Sequence, residues 1–283
     1  MSEKSITVHA PAKINLSLRV IGKRSDGFHE VDTLMTPVRG LFDTLTFHAA
    51  DECSLSCDAA EIPVDDSNLI LKATRLFEKL TKTKCLARIH LEKRIPHGAG
   101  LGGGSSDAAA TLLAWNQWHG NPLDESSLHR AAAELGSDVP FFLLGKTARA
   151  GGRGEILTPA ESPPLQSIVI FKPSFSVSTP DAYSRWKDSL ALPGVRYDAV
   201  ELPWCTLQND LEKPVFEKFL FLAELKNWLN SRPEVRTALM SGSGSAMFAL
   251  LSDSNQADSL IQTVRDRLDP EIWAWSGEIG DSQ

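Results

Sequence analysis

Apolar and polar residues alternate in four short runs near the N-terminus: Ile6-Thr7-Val8, Ile14-Asn15-Leu16-Ser17-Leu18, Thr33-Leu34-Met35 and Leu45-Thr46-Phe47. A period of two places one set of side chains on one face and predicts strands. Arg24-Ser25-Asp26-Gly27 is the clearest turn among them. From Asn68 to Lys82 the period changes, with Leu69, Ala73, Leu76, Phe77 and Leu80 at helical spacing and Ser67 as the expected cap. Ala87-Arg88-Ile89-His90-Leu91 alternates again and leads into a glycine-rich run. A helix is expected after that run, ending before Gly120, and another over 125–135 between Asp124 as cap and Gly136. The Pro-, Ser- and Glu-rich stretch 158–164 reads as a boundary. Beyond it the pattern predicts a strand over 168–171, a helix opened by Thr179-Pro180, a helix over 216–229, strands over 236–240 and 246–251, a helix over 255–268 and a strand over 272–274. Strands and helices mix without the long rhythm of a parallel sheet, so the expected class is α+β, in two domains, 1–162 and 163–283.

The chain has 283 residues, 42% hydrophobic and 23% charged, enough to bury a substantial core. A net charge of -7 speaks against general binding to nucleic acid or to a membrane surface, while leaving room for a locally basic nucleotide pocket. Met1-Ser2-Glu3-Lys4 does not open a signal peptide and no apolar run reaches membrane length, so a cytoplasmic protein is expected. Cys53, Cys57, Cys85 and Cys205 include no Cys-x-x-Cys pair, which favours reduced, partly buried thiols over metal ligands.

The candidate chemistry centres on Pro96-His97-Gly98-Ala99-Gly100-Leu101-Gly102-Gly103-Gly104-Ser105-Ser106, followed by the small residues Asp107 to Thr111. Glycines this dense free the backbone to bring several N–H groups to one ligand. A glycine loop feeding a helix N-terminus is an anion site, and polyphosphate suits it best. Three loop classes compete. Gly98-x-Gly100-x-x-Gly103 matches a dinucleotide fingerprint, but it lies far from the N-terminus and follows the charged run Glu92-Lys93-Arg94. Gly145-Lys146-Thr147 ends like a Walker A loop, yet Pro140 stands where the first glycine belongs. A protein-kinase loop would need His-Arg-Asp and Asp-Phe-Gly further on, and neither occurs.

Three further groups are candidates. In Pro11-Ala12-Lys13-Ile14-Asn15-Leu16, Lys13 and Asn15 share one face of an apolar strand and need partners there, whether phosphate, carboxylate or solvent at an edge. Gly136-Ser137-Asp138-Val139-Pro140 places an acid in a tight turn, as a cap or as the acceptor of a hydroxyl proton in phosphoryl transfer. Phe28-His29 and Tyr183 are core aromatics or a platform for a base.

Assembled, these runs resemble the GHMP kinase superfamily, whose three motifs appear in order: Pro11 to Leu16, Pro96 to Ser106, and Ser241-Gly242-Ser243-Gly244-Ser245. Arg24 to His29, Gly136 to Phe141 and Gly154-Glu155-Ile156-Leu157 narrow the resemblance to the branch acting on a cytidine diphosphate derivative of methylerythritol. The resemblance implies an N-terminal domain like ribosomal protein S5 domain 2, a ferredoxin-like C-terminal domain, and transfer of the ATP γ-phosphoryl to the 2-hydroxyl of the methylerythritol moiety in non-mevalonate isoprenoid synthesis. Lys13 and Asp138 would be catalytic. Pro96 to Ser106 would bind ATP phosphates, with Asn68 and Lys93 near adenine and ribose. Asn15, Phe28, His29, Thr179 and Tyr183 would line the cytidine side, with cytosine between Phe28 and Tyr183. ATP and Mg²⁺ are the implied cofactors, with Ser106 and Asp107 candidates to touch the metal. The protein would be a monomer or homodimer. A mevalonate- or homoserine-type acceptor is the alternative, and such acceptors have no base to stack.

Overall fold

The computed structural model describes residues 4–280; Met1-Ser2-Glu3, on which the reading of the chain start rests, lies outside them. In chain order the elements are β1 (Ser5–Lys23), β2 (His29–Ala49), β3 (Ser54–Cys57), α1 (Leu69–Thr81), β4 (Ala87–Glu92), α2 (Gly103–Trp118), α3 (Glu125–Leu135), α4 (Val139–Leu144), β5 (Ala148–Gly151) and β6 (Ile156–Pro159). They continue with β7 (Gln166–Lys172), α5 (Thr179–Arg185), β8 (Val200–Leu202), β9 (Cys205–Asn209), α6 (Glu212–Lys218), α7 (Leu220–Asn230), β10 (Val235–Met240), β11 (Met247–Leu251), α8 (Ala257–Arg267) and β12 (Trp273–Ile279). The class is α+β, as expected. Among the described residues no helix is long and apolar enough to cross a membrane.

The four N-terminal runs are two long strands, β1 of 19 residues and β2 of 21, meeting at the Arg24–Gly27 turn. Polar residues do not break β1, because its buried stretch satisfies them: Asn15 Nδ2 donates to Thr33 Oγ1 at 2.8 Å, and Thr33 Oγ1 donates to the Ser17 carbonyl at 2.5 Å. Two compact units emerge, both discontinuous, where the sequence suggested one cut after residue 162.

Unit 1 comprises Met1–Ala12, Leu41–His97 and Gly102–Lys146. Its strand β4 pairs antiparallel with β2 and parallel with β3. Helix α2 packs on α1, α3 and α4. It is buried almost all round, which its small residues permit. Trp115 lies edge-on to Phe47 at 5.3 Å and donates to Thr74 Oγ1 at 2.9 Å. Helix α1 corrects one expectation: its cap is Asn68, whose Oδ1 accepts from Ile70 N at 2.9 Å, while the Ser67 hydroxyl bonds Asp65.

Unit 2 comprises Lys13–Gly40, Gly98–Leu101 and Thr147–Gln283. Its strands run in the order β10-β11-β7-β12, all antiparallel, with α5 to α7 before β10 and α8 before β12. Counted by strands and crossover helices, this is the βαββαβ plan of ferredoxin-like domains. One face of the sheet, with Val169, Phe171, Met247 and Ala249, builds the core with the helices. The single helix expected over 216–229 is two, α6 and α7, parted at Phe219, whose φ of -121° and ψ of 74° leave the helical region. Phe219 stacks instead on Phe175, with centroids 5.0 Å apart.

Candidate active site

Unit 2 gathers parts of all three motifs around Lys13. The Lys13 side chain is 3% exposed, and its ammonium donates to Asn15 Oδ1 at 2.6 Å. The Lys13 backbone N–H bonds the Leu101 carbonyl at 3.0 Å, which ties the first motif to the glycine loop. Ser241 Oγ accepts from Asn15 N at 3.3 Å and donates to the Gly100 carbonyl at 3.0 Å, which ties the third motif to both. Gly98, Gly100 and Gly102 have φ of +63°, +76° and +74°. At Gly100 a Cβ would also run into the Ser241 carbonyl, so no other residue fits. A Cβ on Gly242 would lie 3.1 Å from Asn15 Oδ1 and 3.5 Å from the Lys13 ammonium, so this glycine lets the third loop reach the lysine.

Two residues in this group carried no signal in the sequence. Thr33 orients the Asn15 amide. Asn209 donates to the Met240 and Gly242 carbonyls at 2.7 and 2.8 Å and clamps the Ser241–Ser245 loop from β9.

The aromatic candidates also belong to unit 2. The His29 and Tyr183 rings stack at 5.3 Å, and Trp186, which the sequence reading missed, stands edge-on to His29 at 6.1 Å. Burial, with the Lys23 charge, lowers the His29 pKa, so the ring is neutral at neutral pH and offers one donor and one acceptor. Phe28 is 51% exposed and carries the Arg153 guanidinium over its face at 4.7 Å, so it is not a core residue. Thr179 Oγ1 meets Ser243 Oγ at 2.7 Å, joining the start of α5 to the third motif.

In unit 1 the loop enters α2. Beneath that entry the Lys93 ammonium donates to Asp43 and, at 2.8 Å, to Asp107. Asp43 also accepts the N–H groups of Arg94 and Ile95 at 2.6 and 2.8 Å. Burial opposes the Lys93 charge, but the carboxylates of Asp107 and Asp43 outweigh it and raise its pKa. Burial pushes the Asp107 carboxyl up to about 7, against the pull of Lys93 and with help from the Asp43 charge. A Cβ on Gly103 would lie 2.9 Å from the Lys93 ammonium. For Lys93 to reach a ribose or adenine, its head would have to leave both carboxylates. Asn68 is likewise committed, with Nδ2 donating to the Pro63 carbonyl at 2.6 Å and Oδ1 capping α1.

Ser106 Oγ and Asp107 Oδ1 are buried with no hydrogen-bond partner among the described residues. Two orphaned oxygens near the start of α2 fit a hard cation such as Mg²⁺. No group of three or more His, Cys, Asp and Glu suited to a metal occurs among the described residues, so phosphate and water would supply most of the shell. Asp138 stands at the start of α4 and makes no capping hydrogen bond, so the cap reading does not account for it.

Descriptions of known families agree with this arrangement. The GHMP kinases N terminal domain matches residues 68–146, and the GHMP kinases C terminal domain matches 198–269. The 4-diphosphocytidyl-2-C-methyl-D-erythritol kinase of Methylacidiphilum infernorum is 45% identical over 279 residues, 97% of this chain and 96% of its own length. The protein of the same name from Protochlamydia amoebophila is 44% identical over 87% of this chain and 84% of its own. A crystal structure of 4-(cytidine 5'-diphospho)-2C-methyl-D-erythritol kinase aligns with a TM-score of 0.79 at 37% identity, covering 98% of this chain and 100% of that one. Identity of this extent, with all three motifs in place, makes the chain a member of the GHMP kinases, ATP-dependent small-molecule kinases, in the family of the 4-diphosphocytidyl-2-C-methyl-D-erythritol kinases.

Proposed function

We propose that this chain transfers the γ-phosphoryl of ATP to the 2-hydroxyl of 4-diphosphocytidyl-2-C-methyl-D-erythritol, in the cytoplasm, as a step of non-mevalonate isoprenoid synthesis. The observation that carries the acceptor is the stacked His29–Tyr183 pair, with a neutral imidazole and the half-exposed Phe28 next to it in sequence. A mevalonate- or homoserine-type acceptor would leave this aromatic surface nothing to hold. A cytosine gives it a face to stack on and an edge to hydrogen-bond.

In this reading the backbone from Pro96 to Ser106 receives the ATP phosphates, helped by the positive end of α2. Asn68 and Lys93 hold α1 and the loop entry in place on the adenosine side. Asp138 accepts the proton of the acceptor hydroxyl as its oxygen bonds the γ-phosphorus and the bond to the β-phosphate oxygen breaks. Lys13, held by Asn15, keeps positive charge on the transferring group. Ser106 and Asp107 would hold Mg²⁺, which supplies charge neutralisation at the phosphates when bound. Little covalent help is needed, so alignment and charge carry most of the rate.

The acceptor assignment is tested at the aromatics. Phe28→Ala and Tyr183→Ala should each weaken the cytidylyl substrate by about 1–3 kcal/mol, the scale of base–aromatic stacking, with ATP affinity unchanged. His29→Ala should erode the preference for cytosine over uracil. Calorimetry with each ligand reads these effects. Lower melting temperatures with no selective loss of the cytidylyl substrate would reduce the three to packing residues.

A further inference from the structure

Lys172, the last residue of β7, is a buried cation that the mechanism above does not use. It is 8% exposed. Its one hydrogen bond among the described residues is a long one, 3.4 Å, to the Ser174 carbonyl, and no described carboxylate pairs with it. Burial lowers its pKa, and no neighbouring negative charge opposes that shift. Two other lysines with buried side chains, Lys93 and Lys226, show the contrast. Lys93 is held by two carboxylates, and Lys226 by Glu212 and the Arg196 carbonyl. An isolated buried ammonium is costly, and folds keep such groups where a ligand completes them.

The register of β7 shows where this charge stands. Val169 and Phe171 face the helices and belong to the core, so Lys172 lies on the other face, level with Trp273 of β12. The segment that follows is fastened to the phosphate-binding loops at two points within unit 2. Ser245 Oγ donates to the Phe175 carbonyl at 2.7 Å, and Ser176 packs so close to Gly98 that a Cβ there would lie 2.7 Å from its Oγ. The same segment then reaches Thr179, bonded to Ser243. The chain from Lys172 to Thr179 is therefore built against both glycine-rich motifs, and its first residue brings an uncompensated positive charge.

We infer that Lys172 is a further anion-binding residue of this kinase, completed by phosphate oxygens of a bound polyphosphate. The chemistry is shared by the triphosphate of ATP and the diphosphate of the acceptor. It rests on the proposed kinase reaction, and it adds a positive group that none of the three motifs contains.

Lys172→Met separates this role from a structural one. Removing an uncompensated buried charge should leave the melting temperature equal or higher. The KM of one substrate should rise about tenfold or more, the scale of a lost charge-assisted hydrogen bond, while that of the other stays within about twofold. A rise for ATP assigns Lys172 to the triphosphate, and a rise for the cytidylyl acceptor assigns it to the diphosphate. Lys172→Arg should recover part of the loss. Lys172→Gln, with ATP and cytidine diphosphate binding read by calorimetry, provides the same comparison without turnover and serves where the Met variant does not fold. Unchanged KM and affinity for both ligands would overturn the inference, with or without a fall in melting temperature. Should the parent enzyme itself fail to turn over the cytidylyl acceptor, the acceptor assignment falls, and ATP calorimetry still decides for Lys172.

Discussion

Asp138→Asn is expected to keep the fold and ATP binding while lowering turnover by roughly two to four orders of magnitude, the range of a lost general base. The amide is nearly isosteric but cannot accept the proton of the acceptor hydroxyl. Because Asp138 makes no side-chain capping hydrogen bond to α4, the substitution removes no helix cap. Lys13→Ala should also be severe. It leaves Asn15 Oδ1 without its 2.6 Å donor and removes a positive charge from the motif that the third loop reaches through Gly242. If the two residues act on one proton and one phosphoryl group, the double variant should be little worse than the poorer single one. Steady-state kinetics on the four proteins reads this. Asp138→Asn activity within a few-fold of the parent, or cleanly multiplicative losses, would contradict the shared role.

The largest loss of stability should come from Lys93→Met, at about 3–5 kcal/mol, because truncating one partner of a buried ion network strands the others. Asp43 is 0% exposed and Asp107 3%, so neither carboxylate can recover its loss from water. Asp43 would keep the Arg94 and Ile95 N–H groups, whereas Asp107 would lose its Lys93 donor while its Oδ1 already lacks a partner among the described residues, so Asp107→Asn in the Lys93→Met background should restore part of the loss. Arg does not substitute for Lys93, because Gly103 already packs tightly on the ammonium. Lys93 acts from beneath the loop entry in this account, so affinities for ATP and GTP should fall together. Denaturant unfolding and nucleotide calorimetry check both points. A stability loss below about 1 kcal/mol, or a loss confined to adenine nucleotides, would return Lys93 to direct base contact.

The glycine loop was legible because its chemistry is local. Dense glycines with small residues after them specify positive φ and a helix start without reference to the rest of the chain, and Gly98, Gly100 and Gly102 adopt such angles. Lys13 was legible as a lysine in an apolar strand, a position that demands a partner. The partners themselves were not. Asp43 lies 50 residues before Lys93 and Ser241 lies 226 after Asn15, so no periodicity links them. Asn209 and Lys172 end ordinary strands, and only tertiary placement gives them a task. At the local level, Ser67 and Asn68 are both good caps, and the choice fell to Asn68 while Asp65 engaged the Ser67 hydroxyl. The break between α6 and α7 depends on the stacking of Phe219 on Phe175, which a helical period cannot record.

The most direct test of the central claim is a coupled assay of ATP consumption with the purified protein, offered 4-diphosphocytidyl-2-C-methyl-D-erythritol, mevalonate and homoserine in parallel. The account predicts ADP formation with the cytidylyl acceptor at a kcat/KM at least about a hundredfold above the other two, because a site built to hydrogen-bond and stack a base rejects acceptors that lack one. Equal or better turnover of mevalonate or homoserine, or no turnover of the cytidylyl acceptor, would contradict it.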